Sequence, residues 1–194
     1  MRRGWVIALL GAAGLLAAVH PARALQLSDV RGRMTLGYSH LSVSDTSETP
    51  GGSLSFGAGV ALPLASRLRA GVGIGYHVLG SRTLVQGSLS SGIDYSLFEA
   101  TALLHWSPLS SGPDLILSLG PGVFHAKAQL SSTSVGLVFT PQAIDETRLG
   151  GALDVSVVRR KPTPVRAGVV LGLRIIPLEH VTWTVASIGI ALIY

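Results

Sequence analysis

The sequence predicts an all-β fold, a closed antiparallel eight-stranded up-and-down transmembrane β-barrel. Three observations lead there. The 194-residue chain is greasy, with a mean hydropathy of +0.50 and 13% charged residues. Yet nothing after residue 24 forms the roughly 18–20-residue apolar run of a spanning helix. Its segments alternate with a period of two, one face aliphatic and the other rich in glycine. The connections between these segments alternate in length. A membrane barrel combines the three, because lipid-facing residues alternate with interior ones and no single window looks hydrophobic enough to be noticed.

The N-terminus is set apart from this pattern. "MRRGWVIALLGAAGLLAAVHPARA" has a basic start at Arg2 and Arg3, an apolar core from Val6 to Val19, and Ala22-Arg23-Ala24 as a small-x-small cleavage site. Residues 1–24 therefore read as a cleaved signal peptide, with an uncleaved anchor as the alternative, and 25–194 as the barrel domain. Of 15 Lys+Arg and 10 Asp+Glu, Arg2, Arg3 and Arg23 leave with the signal, so the remaining charge is +2. The sequence pI of about 10.2 is thus mostly the signal's, and no nucleic-acid footprint follows from it. There is no cysteine, so an exported chain of this kind relies on burial and pairing rather than disulfides.

The strands can be taken in order. The first, at about 31–43, is irregular. In "SLSFGAGVAL", Leu54, Phe56, Ala58, Val60 and Leu62 oppose Ser55, Gly57, Gly59 and Ala61. In "RLRAGVGIGYHV" (67–78), Leu68, Ala70, Val72, Ile74, Tyr76 and Val78 oppose Arg67, Arg69, Gly71, Gly73, Gly75 and His77. A soluble sandwich would put Lys, Glu and Thr on that second face. Glycine there marks tight space, as inside an eight-stranded barrel, which is just wide enough for side chains to fill. The fourth strand, at about 93–106, is again less regular. The fifth, "DLILSLGPGVF", contains Pro121, which removes a ladder donor and predicts a bulge or local break. A sixth lies at about 148–159. In the seventh, "VRAGVVLGLRII", Val165, Ala167, Val169, Leu171, Leu173 and Ile175 form the greasy face. In the last, "VTWTVASIGIALIY", that face is Thr184, Ala186, Ile188, Ile190, Leu192 and Tyr194. Each strand is near the ~9–11 residues of a tilted membrane strand.

With the N-terminus in the periplasm, the odd connections, "SDTSETPGG", "GSRTLVQGSLSSG" and the stretch from Lys127 to Thr147, face outward and are long; only the last, "PLEH", is short. The even ones, "PLAS", "SPLSSGP" and "RKPTP", are short inner turns. Aromatic residues are 6% of the chain. Trp106 and Tyr194 fall near the periplasmic rim, Phe56 and Tyr76 near the outer one. Trp183 is also near the outer rim but its phase turns it inward, so either a bulge shifts that phase or Trp183 plugs the mouth.

On these features the chain, over about 25–194, resembles the small eight-stranded outer-membrane barrels, the OmpA transmembrane-domain and OmpX-like group. The resemblance implies an outer-membrane location in a Gram-negative-type bacterium, with outer-membrane lipid and lipopolysaccharide as surroundings. It also implies that the final strand, ending on Tyr194 where Phe is commoner, is the insertion signal read by the barrel-assembly machinery.

Seven ionisable residues take the inward phase: Arg69, His77, Glu99, His105, Asp154, Arg166 and Arg174. Charges there must be paired or hydrated. Glu99 and Arg174 fall at similar depth and Asp154 reaches Arg174 from the next strand. The expectation is an interior charge cluster of Arg69, Glu99, Asp154 and Arg174 that blocks free flow; separately hydrated side chains are the alternative. Two His-x-Ser pairs, His40-Leu41-Ser42 and His105-Trp106-Ser107, place both members on one strand face. The first lies at the outer end, and its His40 and Ser42 resemble part of the catalytic set of outer-membrane lipid A deacylases, but no acid is placed to orient them. "GVGIG" sits within a strand, with no helix to form a phosphate loop. The histidines show no metal-ligand spacing, and no cofactor is expected.

The functional expectation is a non-catalytic structural or surface-binding protein whose ligand meets the outer loops, "SETPGG" and "AQLSSTSVGLVFTPQAIDET" above all. The alternatives are a lipid-modifying enzyme, a narrow pore, and a secreted soluble barrel of the lipocalin type.

Overall fold

Alternation of aliphatic and small residues leaves the backbone one way to satisfy its hydrogen bonds while burying glycine and charge, namely a sheet closed on itself. A computed structural model of the chain describes residues 30–44, 51–86, 89–133, 144–160 and 163–194. The signal peptide expected at 1–24 and the central part of the third outer connection lie outside these residues.

Eight strands follow one another: β1 (Arg31–Val43), β2 (Ser53–Ala65), β3 (Leu68–Gln86), β4 (Leu89–Trp106), β5 (Asp114–Thr133), β6 (Ile144–Val158), β7 (Arg166–Pro177) and β8 (Thr182–Ile193). Each pairs antiparallel with its neighbours in sequence, and the barrel closes through β1 and β8, from Arg33↔Ile193 to Val43↔Trp183. The turns after β2, β4 and β6 mark the lower end, where Arg31 and Tyr194 also lie. The backbone of Gly32 exchanges two hydrogen bonds with Tyr194, at 2.8 and 3.1 Å.

The outer face of the wall is apolar. Leu36 is 62% exposed and Leu149 70%, and Phe56, Ile74, Leu119, Leu171, Ile188 and Ile190 share that face. An exposed aliphatic surface spread over all strands far exceeds the patch that a water-soluble monomer carries, and it is the surface that hydrocarbon covers in membrane barrels. Phe56 and Tyr76, with ring centroids 5.6 Å apart, sit on the upper part of this face; Trp106 and Tyr194 sit at its lower edge.

Two features differ from the sequence-based expectation and a third meets it. First, β3, β4 and β5 have 19, 18 and 20 residues, about twice a membrane strand's need. The segments expected to be loops at 80–92 and after Lys127 continue the ladder, Gln86 pairing with Leu89 and Lys127 with Asp145. Their Ser/Thr-rich composition suits solvated strands as well as loops, so composition alone did not separate the two. Second, the register between β3 and β4 shifts between Val78 and Ser81, with Gly80 at φ 84°. This left-handed residue makes a bulge, and Leu79 before it turns into the lumen, fully buried. Third, the local break expected at Pro121 is present in the pairing between β4 and β5. Thr101 pairs with Gly122 and Leu104 with Leu119 in one unbroken register, while β6 pairs normally through Pro121↔Gly151.

The lumen is layered. Its upper half is an apolar plug of Leu41, Leu79, Leu97, Phe124, Ile176, Trp183 and Val185, all fully buried, with Val43, Ile93, Tyr95 and Val181 packed on it. Trp183 stacks tilted against Tyr95 at 5.9 Å, so no bulge diverts it. Phe124 lies over Gly122 and Gly150, where a Cβ would come within 2.8 and 3.0 Å of its ring. The glycine lining inferred from sequence therefore belongs chiefly to the lower half, and even in the plug it serves to seat an aromatic ring.

Candidate functional site

Beneath the plug, inward positions on β1, β3, β4, β6 and β7 place charged side chains at one level. Arg174 is the centre. Its Nε and one terminal nitrogen donate to the Glu99 carboxylate at 2.6 and 3.0 Å, and its other terminal nitrogen donates to Asp154 Oδ1 at 2.6 Å. Two-pronged charge-assisted pairing of this kind fixes orientation as well as charge. The chain of contacts continues both ways. Asp154 Oδ2 stands 3.3 Å from an Arg33 nitrogen. Glu99 Oε2 stands 3.6 Å from His77 Nε2, and His77 Nδ1 is 2.8 Å from Ser39 Oγ. Arg33 and Ser39 are both on β1, so this polar belt runs round the lumen and returns to the strand on which it began. Gly75 makes room for it: a Cβ there would lie 2.8 Å from Glu99 Oε1.

Of the four residues expected to cluster, the structure joins Glu99, Asp154 and Arg174. Arg69 lines the same cavity lower down, near Arg31 and His105. Sequence reading missed Arg33 and Asp114. Both take inward positions, but β1 was too irregular to phase and Asp114 begins its strand. At the lower end Asp114 faces three cations, Arg166 at 3.2 Å, Arg160 at 3.7 Å and Arg31 at 3.9 Å. His105 Nδ1 shares a proton with Ser118 Oγ at 2.7 Å. Between belt and base lies a cavity of about 120 Å³, lined by Arg33, Arg69, His105, Asp154, Ser156 and Ser187 among others.

Ser39, His77 and Glu99 have the composition of a nucleophile, a base and an orienting acid. Ser39 is fully buried and is not among the cavity's lining residues. Its hydroxyl is hydrogen-bonded to the His77 ring. His40 and Ser42 lie on the exposed outer face near the top of β1; no hydrogen bond joins them. Among the described residues no group of three or more His, Asp or Glu is arranged to hold a metal ion. At the upper mouth Arg148 pairs with Glu146 at 2.9 Å and with Glu179 at 3.3 Å, tying β6 to the β7–β8 turn.

A closed antiparallel eight-stranded wall with aliphatics outside and a charged belt inside can be compared with solved structures. Ail, the attachment invasion locus protein of Yersinia pestis, superposes with a TM-score of 0.52 at 13% identity, covering 86% of this chain and 99% of that one. Neisserial surface protein A gives 0.55 at 15% identity, covering 84% and 96%. The outer-membrane protein OprG of Pseudomonas aeruginosa gives 0.51 at 12%, covering 84% and 95%. The fold is that of the small outer-membrane β-barrels. No protein-family model and no curated protein sequence matches the chain. Identities this low carry the architecture, and the lumen and mouth are read from the chain's own residues.

Proposed function

We propose that the chain is an integral outer-membrane barrel that does not conduct and does not catalyse, and that carries a surface-binding role on the strand extensions above its upper rim. The observation that carries this reading is the plug. Trp183, Leu79, Leu97 and Ile176, fully buried, fill the upper lumen directly over the Arg174 belt. A water-filled path would have to dissolve both an apolar layer and an ion-paired one. The β3–β4 and β5–β6 ladders continue above the apolar band, and a partner can dock on such extensions. The likeness to Ail, solved also in complex with the heparin analogue sucrose octasulfate, and to a Neisserial surface protein supports a surface role. In this orientation the lower end faces the periplasm, and Tyr194 ends the strand offered to the assembly machinery.

The chain lacks cysteine, which makes the test direct. Single cysteines at Ser81 or Gln129, both exposed, are expected to react with a membrane-impermeant maleimide on intact cells. One at Ser110, on the turn after β4, is expected to react only after the outer membrane is opened. The folded protein in planar bilayers is expected to show no stable openings. Labelling of Ser110 from outside, or steady conductance, overturns the reading.

A further inference from the structure

The cavity between belt and base holds an excess of positive charge, and we propose that it is a binding site for a small tetrahedral oxyanion of the phosphate or sulfate type, reached from the lower end. Among the described residues five guanidinium groups, those of Arg31, Arg33, Arg69, Arg166 and Arg174, face this half of the lumen, against the three carboxylates of Glu99, Asp114 and Asp154. The carboxylates are not spread evenly. Glu99 and Asp154 are taken up by Arg174 and Arg33, so they do not repel an anion placed below them. Asp114 alone stands among Arg31, Arg160 and Arg166. Arg31 also feels the like charge of Arg69 and Arg166, and His105 that of Arg33 and Arg69. A wall of low dielectric focuses such a field rather than dissipating it.

A second observation points into the same space. Ser156 is 1% exposed, lines the cavity, and its hydroxyl has no hydrogen-bond partner. Arg33 Nε, on the side chain that reaches Asp154, also has none. Asp154 and Ser156 are successive inward positions of β6, so the unused hydroxyl and the unused guanidinium N–H sit at neighbouring levels. Buried donors are ordinarily satisfied, and a tetrahedral oxyanion offers acceptors to both while returning charge to the arginines. The space fits: a cavity of about 120 Å³ exceeds the roughly 10–15 Å³ that one water needs several times over, enough for the ion with part of its hydration. The path is the lower rim, where the Arg31 side chain keeps 35% of its exposure.

The test uses the folded barrel in detergent, titrated calorimetrically with inorganic phosphate at constant ionic strength, with sulfate as competitor. One saturable site is expected, displaced by sulfate. Arg33→Gln is expected to weaken it by about tenfold or more, and Ser156→Ala by about threefold to tenfold. Arg159→Gln, which removes the same charge from an exposed position outside the cavity, is expected to leave affinity unchanged. Absence of saturable binding, equal binding by Ser156→Ala and the parent, or an Arg159→Gln loss as large as that of Arg33→Gln overturns the proposal. Should Arg33→Gln not fold, as judged by unchanged gel mobility on heating, Ser156→Ala decides it alone. None of these readouts depends on surface labelling or conductance, so the two readings fail separately.

Discussion

Arg174 on β7 holds Glu99 on β4 across the lumen through two hydrogen bonds of 2.6 and 3.0 Å. The two residues are 75 positions apart and on non-adjacent strands. Their pairing therefore braces the barrel through its interior, where the backbone ladder holds it only along the wall. Asp154 takes the remaining side of the guanidinium, so removing Arg174 leaves buried Glu99 with His77 alone and Asp154 with Arg33 alone.

Arg174→Met is accordingly expected to destabilise the barrel by about 3–5 kcal/mol, the usual penalty for a buried charge left without its partner. Glu99→Leu in the same chain is expected to recover much of that loss, because it removes the carboxylate that loses both guanidinium hydrogen bonds. Urea unfolding in lipid vesicles, followed by tryptophan fluorescence, measures both. A loss below about 1 kcal/mol for Arg174→Met would show the belt to be hydrated rather than ion-paired.

The plug predicts a contrast at one position. Trp183 is fully buried and its indole N–H has no hydrogen-bond partner. Trp183→Phe keeps most of the ring and removes the unsatisfied donor, so it is expected to change stability by less than about 1.5 kcal/mol. Trp183→Ala opens a cavity and is expected to cost about 3–5 kcal/mol. Equal losses for the two would mean that the N–H, not the volume, is what matters.

The outer face predicts a depth profile. Ile190 pairs with Leu36 and Val169 in the middle of the exposed band. Ile190→Arg is expected to cost about 2–4 kcal/mol when the protein is folded into lipid, whereas Tyr194→Arg, at the lower rim, costs about 0–1 kcal/mol. Refolding into vesicles of fixed composition measures the difference. Equal effects at both depths would indicate that water, not hydrocarbon, covers the wall.

Two glycines separate strain from space. Gly80 has φ 84°, and a Cβ there would run into the Gly51 carbonyl, so Gly80→Ala is expected to lose about 1–2 kcal/mol from conformation alone, with the clash in addition. Gly151 faces outward with nothing within 4 Å of a built Cβ. Gly151→Ala is expected to be neutral or to gain about 0.5–1 kcal/mol. Chemical unfolding of the two variants side by side checks the sign.

The sequence by itself determined the wall. Period-two alternation is a local property, carried by each strand without reference to its neighbours. Leu54 to Leu62, Leu68 to Val78, Val165 to Ile175 and Ile188 to Tyr194 accordingly show which residues face outward, and which of Glu99, Asp154 and Arg174 turn in. Tertiary structure decided what the inward residues meet. Depth in a barrel depends on stagger between strands, which alternation does not encode, so Arg33 and Asp114 were invisible as partners of Asp154 and of the arginines at the base. The bulge at Gly80 reversed the phase of the residues that follow it in β3, so that Ser81 and Thr83 are exposed. In the upper half both faces are apolar, Val78 out and Leu79 in, and hydrophobicity cannot tell lipid from plug. Only closure of the sheet, which brings Trp183, Leu41 and Leu97 into one small volume, separates the two.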